Sequence, residues 1–109
     1  MRLPDSAFER VDWTQVPPVE HPGEHGVAVW RTQQLGDTRI RMVEYSAGYL
    51  ADHWCTKGHV LLCLTGSPST ELGDGRVIEL APGDSYQVGD DSEPHRSSTE
   101  TGATLFIVD

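Results

Sequence analysis

The sequence predicts an all-β fold, a sandwich or barrel of short strands, on three observations. Beyond residue 26 no stretch sustains a helical period. Short runs of aliphatic, β-branched and aromatic residues recur at regular intervals instead. Every gap between them carries a turn signal, from Gly36-Asp37 to Gly89-Asp90-Asp91.

Taken in order, Val27 to Leu35 is the first strand, closed by Gly36-Asp37. Arg39 to Tyr45 alternates, with Ile40 and Met42 on one face and Arg39 and Arg41 on the other, and Ser46-Ala47-Gly48 ends it. His59 to Leu64, Ser69 to Leu72, Arg76 to Leu80, Ser85 to Val88 and Thr104 to Val108 complete the set. Between the middle ones stand Gly66-Ser67-Pro68, Gly73-Asp74-Gly75 and Ala81-Pro82-Gly83-Asp84, of which Asp74-Gly75 is a strong hairpin signal. Residues 1–26 are irregular. Pro17-Pro18 and His21-Pro22-Gly23 predict an extended or looped N-terminal arm, with Asp12-Trp13 and Val16 as its anchors. Residues 27–109 then form a single domain, because 109 residues leave room for one core.

Charge narrows the partners. A net charge of -9 repels phosphate backbones and anionic membrane faces, so neither nucleic acid nor membrane is expected as a partner. No apolar run approaches the ~20 residues of a membrane span. Met1-Arg2-Leu3-Pro4-Asp5-Ser6 lacks the apolar segment of a signal peptide, which predicts a cytoplasmic protein. Two cysteines, Cys55 and Cys63, make no disulfide framework. Along one extended segment, at roughly 3.3 Å per residue, they lie beyond disulfide reach and are read as reduced thiols.

The chemistry concentrates in Gly48 to His59. His53, Cys55 and His59 put three metal-ligating side chains within seven residues, immediately before the apolar segment Val60-Leu61-Leu62-Cys63-Leu64. Imidazole and thiolate are the usual protein ligands of zinc, iron, copper and nickel. His53 and Cys55, two apart, share a strand face, and Gly58 permits a bend before His59. From His59 onward, His59, Leu61 and Cys63 face inward and Val60, Leu62 and Leu64 outward. His95, after Pro94, is the fourth candidate. Cys55 is open between a thiolate ligand and a buried neutral thiol, whereas Cys63 reads as a core thiol. Trp54 alternates away from His53, toward the outside or a subunit contact. Arg41, Tyr45, Tyr86 and Gln87 are candidates for the polar lining of a pocket mouth. Lys57, His21 and His25 read as loop residues. No nucleophile elbow, P-loop or dinucleotide fingerprint is present, and Ser97-Ser98 has no acid partner for a triad.

These spacings resemble the cupin superfamily. Its first motif is written G-x5-H-x-H-x3,4-E-x6-G, and this chain reads Gly48, His53, Cys55, His59 and Gly66. The spacing agrees from His53 onward, and Gly48 stands one residue closer. Cys55 takes the second His slot and His59 the Glu slot. Gly75, Pro82-Gly83-Asp84 and Pro94-His95 follow a variant of the second motif, without its terminal Asn. The run Asp52-His53-Trp54-Cys55 looks like the small single-domain proteins called DHCW-motif cupins. The resemblance spans about Val43 to Asp109. It implies a small antiparallel β-barrel or jelly roll that binds one divalent transition metal through His53, Cys55, His59 and His95. Zinc or iron is expected first, with nickel, manganese and copper as further options. A small-molecule ligand inside the barrel and a homodimer through the N-terminal arm are implied in the same way. Two functions fit: a metal-dependent enzyme of oxygenase or isomerase type, or a binding or sensory domain with a structural metal. Three histidines without a carboxylate resemble thiol-dioxygenase-like members, and three histidines plus a thiolate resemble a closed zinc site.

Overall fold

The computed structural model describes residues 2–109. The strands are β1 (Val19–Pro22), β2 (Val27–Leu35), β3 (Thr38–Tyr45), β4 (His59–Gly66), β5 (Ser69–Leu72), β6 (Val77–Glu79), β7 (Ser85–Val88), β8 (His95–Ser98) and β9 (Ala103–Val108). They form a six-stranded sheet in the order β1-β2-β3-β9-β4-β7 and a three-stranded sheet in the order β6-β5-β8. Every strand pairing is antiparallel. The fold is the expected all-β, jelly-roll-like one, although the two sheets do not close into a continuous barrel.

The hydrophobic pattern sets which face each strand buries. On β4, Leu61 and Cys63 are 2% and 0% exposed, while Val60 and Leu64 on the other face are 49% and 38% exposed. That is the predicted alternation. Ala28, Val43, Leu105 and Ile107 extend the same core across the large sheet. β3 buries its Arg41–Val43 face. Ile40, on the opposite face, instead lines a hollow together with Leu3 and Val11 of the N-terminal arm. The arm is also held where expected. Arg31 Nη1 donates to the carbonyls of Trp13 (3.1 Å) and Val16 (2.6 Å), and Trp13 meets Phe106 edge-on at 6.3 Å.

Turn chemistry agrees with the sequence. Gly36 and Gly75 adopt φ of +60° and +95° in the β2–β3 and β5–β6 hairpins. Two strands, however, carry no sequence signal. β1, Val-Glu-His-Pro, has no apolar alternation because it is an edge strand paired on one side only, with Pro22 at its end. β8, His-Arg-Ser-Ser, is polar because it pairs with β5 beside the ligand-bearing loop, where its side chains meet a cavity. The 46–58 segment is not a strand. It crosses the fold through isolated bridges, Leu50 with His25 and Ser98, and Cys55 with His95.

Candidate metal centre

Three elements deliver the site. Cys55 and His95 exchange both backbone hydrogen bonds, Cys55 N–H to His95 O at 2.8 Å and His95 N–H to Cys55 O at 3.0 Å. Directly opposed residues of this kind hold their Cα atoms about 5.5 Å apart and their side chains on one face. His59 arrives from β4, whose inward face it opens. Gly58 makes that entry possible. A Cβ there would stand 2.7 Å from Asp90 N and 2.8 Å from Val88 O, and the Gly58 N–H donates to Asp90 Oδ1 at 2.6 Å.

The result is a cluster of one sulfur and two imidazoles. The candidate donor atoms of Cys55, His59 and His95 all lie within 4.8 Å of one another, and among the described residues no other triad of this kind forms. His95 is 3% exposed. Its Nδ1 lies 2.9 Å from the Glu93 carbonyl oxygen, which can only accept, so Nδ1 carries the proton and Nε2 the lone pair. That Nε2 is buried and has no hydrogen-bond partner. A buried acceptor left unpaired costs about 1–3 kcal/mol, and a metal ion would satisfy it. His59 stands edge-on to His95, with centroids 4.7 Å apart, and its Nε2 is hydrogen-bonded to Tyr86 Oη at 2.9 Å. Burial, then the neighbouring His95, push the His59 pKa down to about 4, so its imidazole is neutral and ready to ligate. Burial first of all pushes the Tyr86 phenol up, so it stays protonated. The residues therefore fit a thiophilic or borderline divalent ion.

The fourth predicted ligand is placed differently. His53 lines the same cavity, but its side chain is 73% exposed and its Nδ1 is 2.6 Å from Asp52 Oδ1. It stands outside the Cys55–His59–His95 group. The 52–55 segment is a bent loop rather than a strand, so the two-residue spacing does not force His53 and Cys55 to one side. Trp54 turns outward, 39% exposed, under the Arg96 guanidinium at 4.8 Å. Cys63 is the expected core thiol, with Sγ directed at the carbonyls of Thr65 and Gly66. Cys55 and Cys63 are both free. His21 and His25 take no part in the cluster; His21 stacks on Trp30 at 3.7 Å.

The cavity in front of the cluster holds about 140 Å³. Its far wall is polar in a way only partly foreseen. Arg41 and Tyr45 line it as expected, whereas Tyr86 and Gln87 border a second, smaller hollow behind His95. Arg39 and Asp109 join Arg41. Arg39 grips Asp109 through Nε (2.9 Å) and Nη2 (2.8 Å), and Arg41 Nη2 adds a third bond at 3.0 Å. Asp109 was legible only as the neighbour of an apolar strand. Its role depends on register, which pairs Ile107 with both Arg41 and Leu61 and so carries Asp109 between Arg39 and the His59 end of β4.

This architecture is the fold of the cupin superfamily. An RmlC-like cupin from Shewanella frigidimarina superposes with a TM-score of 0.75 at 15% identity, covering 94% of this chain and 89% of that one. A predicted oxalate decarboxylase from Thermotoga maritima gives 0.77 at 13% identity, covering 92% and 96%. The polyketide cyclase RemF from Streptomyces resistomycificus gives 0.75 at 23% identity, covering 94% and 78%. No family model matches the sequence. No curated protein matches it either. No helix among the described residues is long and apolar enough to cross a membrane.

Proposed function

We propose that this protein is a metal-dependent cupin enzyme acting on a small molecule, with Cys55, His59 and His95 holding one divalent ion at the cavity wall. The observation that carries this reading is the buried, partnerless Nε2 of His95 inside a cluster of three donors. Three protein ligands leave a coordination position free, which is the pattern of catalytic rather than structural zinc sites. Zinc or iron is the first choice, because thiolate and imidazole favour such ions over magnesium or calcium. When bound, the ion supplies Lewis acidity toward a substrate oxygen. The chain's own groups orient and exclude. The Glu93 carbonyl fixes the His95 tautomer, Tyr86 holds His59, and Tyr45, half-buried at the cavity wall, limits water.

A binding or sensory domain with a structural metal is the second reading. It requires His53 to leave Asp52 and close the site, and the Asp52 contact and solvent exposure of His53 favour the open form. Reconstitution with zinc and iron(II), followed by metal analysis and azide titration of the cobalt form, tests the reading. One ion per chain with an azide-sensitive spectrum is expected. No retained ion, or a four-coordinate spectrum indifferent to azide, would overturn it.

The same reading includes a reducing compartment, the cytoplasm, supported by two free thiols. It also includes a homodimer. Val19 on the edge strand β1 and Val60 and Leu64 on the outer sheet face are apolar and exposed, and a second copy would cover them. Light scattering on the purified protein checks this.

A further inference from the structure

In the Arg39–Arg41–Asp109 group two guanidinium groups share one side-chain carboxylate. Arg39 alone already engages both carboxylate oxygens of Asp109. Arg41 adds a single bond to Oδ2, through Nη2. Its side chain is 7% exposed and the Asp109 side chain 1%, so this second guanidinium is buried. Its Nε–H is buried with no acceptor at all. A buried guanidinium with a free donor is costly unless something accepts from it.

Two further observations say where that acceptor belongs. Arg41 lines the same cavity as Cys55, His59 and His95. Its Cζ lies 4.3 Å from the centre of the Trp30 ring, which holds the guanidinium plane in place. The other charged groups at this cavity are Arg39, Asp109 and Arg96, of which Arg96 is already paired with Glu24 and Glu71, so the cationic side of the wall is the Arg39–Arg41 pair. An isolated structural ion pair would need neither the second arginine nor the unfilled donor.

We infer that Arg41 is the anion-recognition group of the cavity, and that the small molecule bound there carries a carboxylate which accepts from the Arg41 guanidinium. The cavity volume of about 140 Å³ falls below the roughly 300–1,000 Å³ of sites for drug-sized ligands, so the ligand is a small acid. The inference deepens the reading of the cavity as a substrate site, but it does not need the metal, and the two can fail separately.

Acetate and acetamide are the probes, isosteric and differing in charge. They are titrated at constant ionic strength into metal-free protein while the arginine Nε–H resonances are followed by NMR. Acetate should shift the Arg41 resonance saturably and acetamide should not. Sodium sulfate and inorganic phosphate distinguish a carboxylate site from a general oxyanion site, and stronger binding of either than of acetate would overturn the carboxylate assignment. R41Q should lower acetate affinity at least about tenfold, a loss of about 1.4 kcal/mol, while R76Q, at an exposed arginine outside the cavity, should bind acetate as wild type does. If R41Q does not fold, the wild-type resonance decides alone. An Arg41 resonance that acetate leaves in place, or a folded R41Q that binds acetate unchanged, would overturn the proposal. Zinc content is measured on the same samples. Loss of zinc binding with an intact acetate response defeats the metal reading and leaves the anion site standing, and the reverse result defeats the anion site alone.

Discussion

The ring of His59 stands at 87° to the ring of His95, with 4.7 Å between their centroids. Burial, and then the facing His95, disfavours a proton on His59. His59 is therefore neutral down to about pH 4, against 6.5 for an ordinary histidine.

That difference makes the metal-free protein acid-sensitive. Between pH 6.5 and 4 the unfolded chain binds a proton at His59 that the folded chain does not, so stability is full above 6.5 and falls as pH drops through this window. The loss is about 3 kcal/mol at about 1.4 kcal/mol per pKa unit. Urea unfolding at stepped pH measures it, and His59→Leu should flatten the slope. An unchanged slope in that variant would assign the acid sensitivity elsewhere.

Metal affinity should separate the four sequence candidates. His59→Ala and His95→Ala are each expected to weaken zinc binding about 100-fold or more, beyond what loss of a group that merely orients a ligand costs. His53→Ala should cost about tenfold or less, because His53 points to solvent and Asp52. Competition with a chromophoric chelator ranks the three variants. A His53 effect equal to that of His95 would mean the loop closes around the ion.

Cys55 is tested by colour. Its backbone bridge to His95 puts its sulfur in the cluster, so the cobalt protein should show an intense near-ultraviolet thiolate band, absent from Cys55→Ser. A wild-type spectrum without the band would remove Cys55 from the ligand set and leave the two histidines.

Asp109→Asn should destabilise the fold by roughly 3 kcal/mol, since it strips the counter-charge from two arginines, one of them buried. Burial alone would raise the Asp109 pKa, but the Arg39 hydrogen bonds and the Arg41 charge outweigh it and hold the group below the usual carboxylate range. Thermal and urea melts at neutral pH give the number. A variant as stable as wild type would show that water replaces the carboxylate there.

The sequence by itself determined the strand inventory wherever one face of a strand is apolar. β2 to β5, β7 and β9 follow from alternation and turn residues, because burial on one side favours a two-residue period, whereas β6, exposed at all three residues, follows from the Asp74-Gly75 turn and its β-branched pair. It also offered the metal-ligating side chains, because imidazole and thiolate are rare and their spacing is local, and the fold gathers three of the four, Cys55, His59 and His95. Tertiary structure decided the rest. β1 and β8 are strands because a neighbour completes their hydrogen bonds, and their polar side chains announce nothing. Cys55 joins His95 across forty residues through a bridge that no local pattern encodes, while His53, two residues from Cys55, turns away because the loop between them is not extended. The Arg39–Asp109–Arg41 group exists only through the β3–β9 register. Pairing between distant strands is fixed by how their faces pack in the core, and a side chain whose partner lies 68 or 70 residues away has no signature in its own neighbourhood.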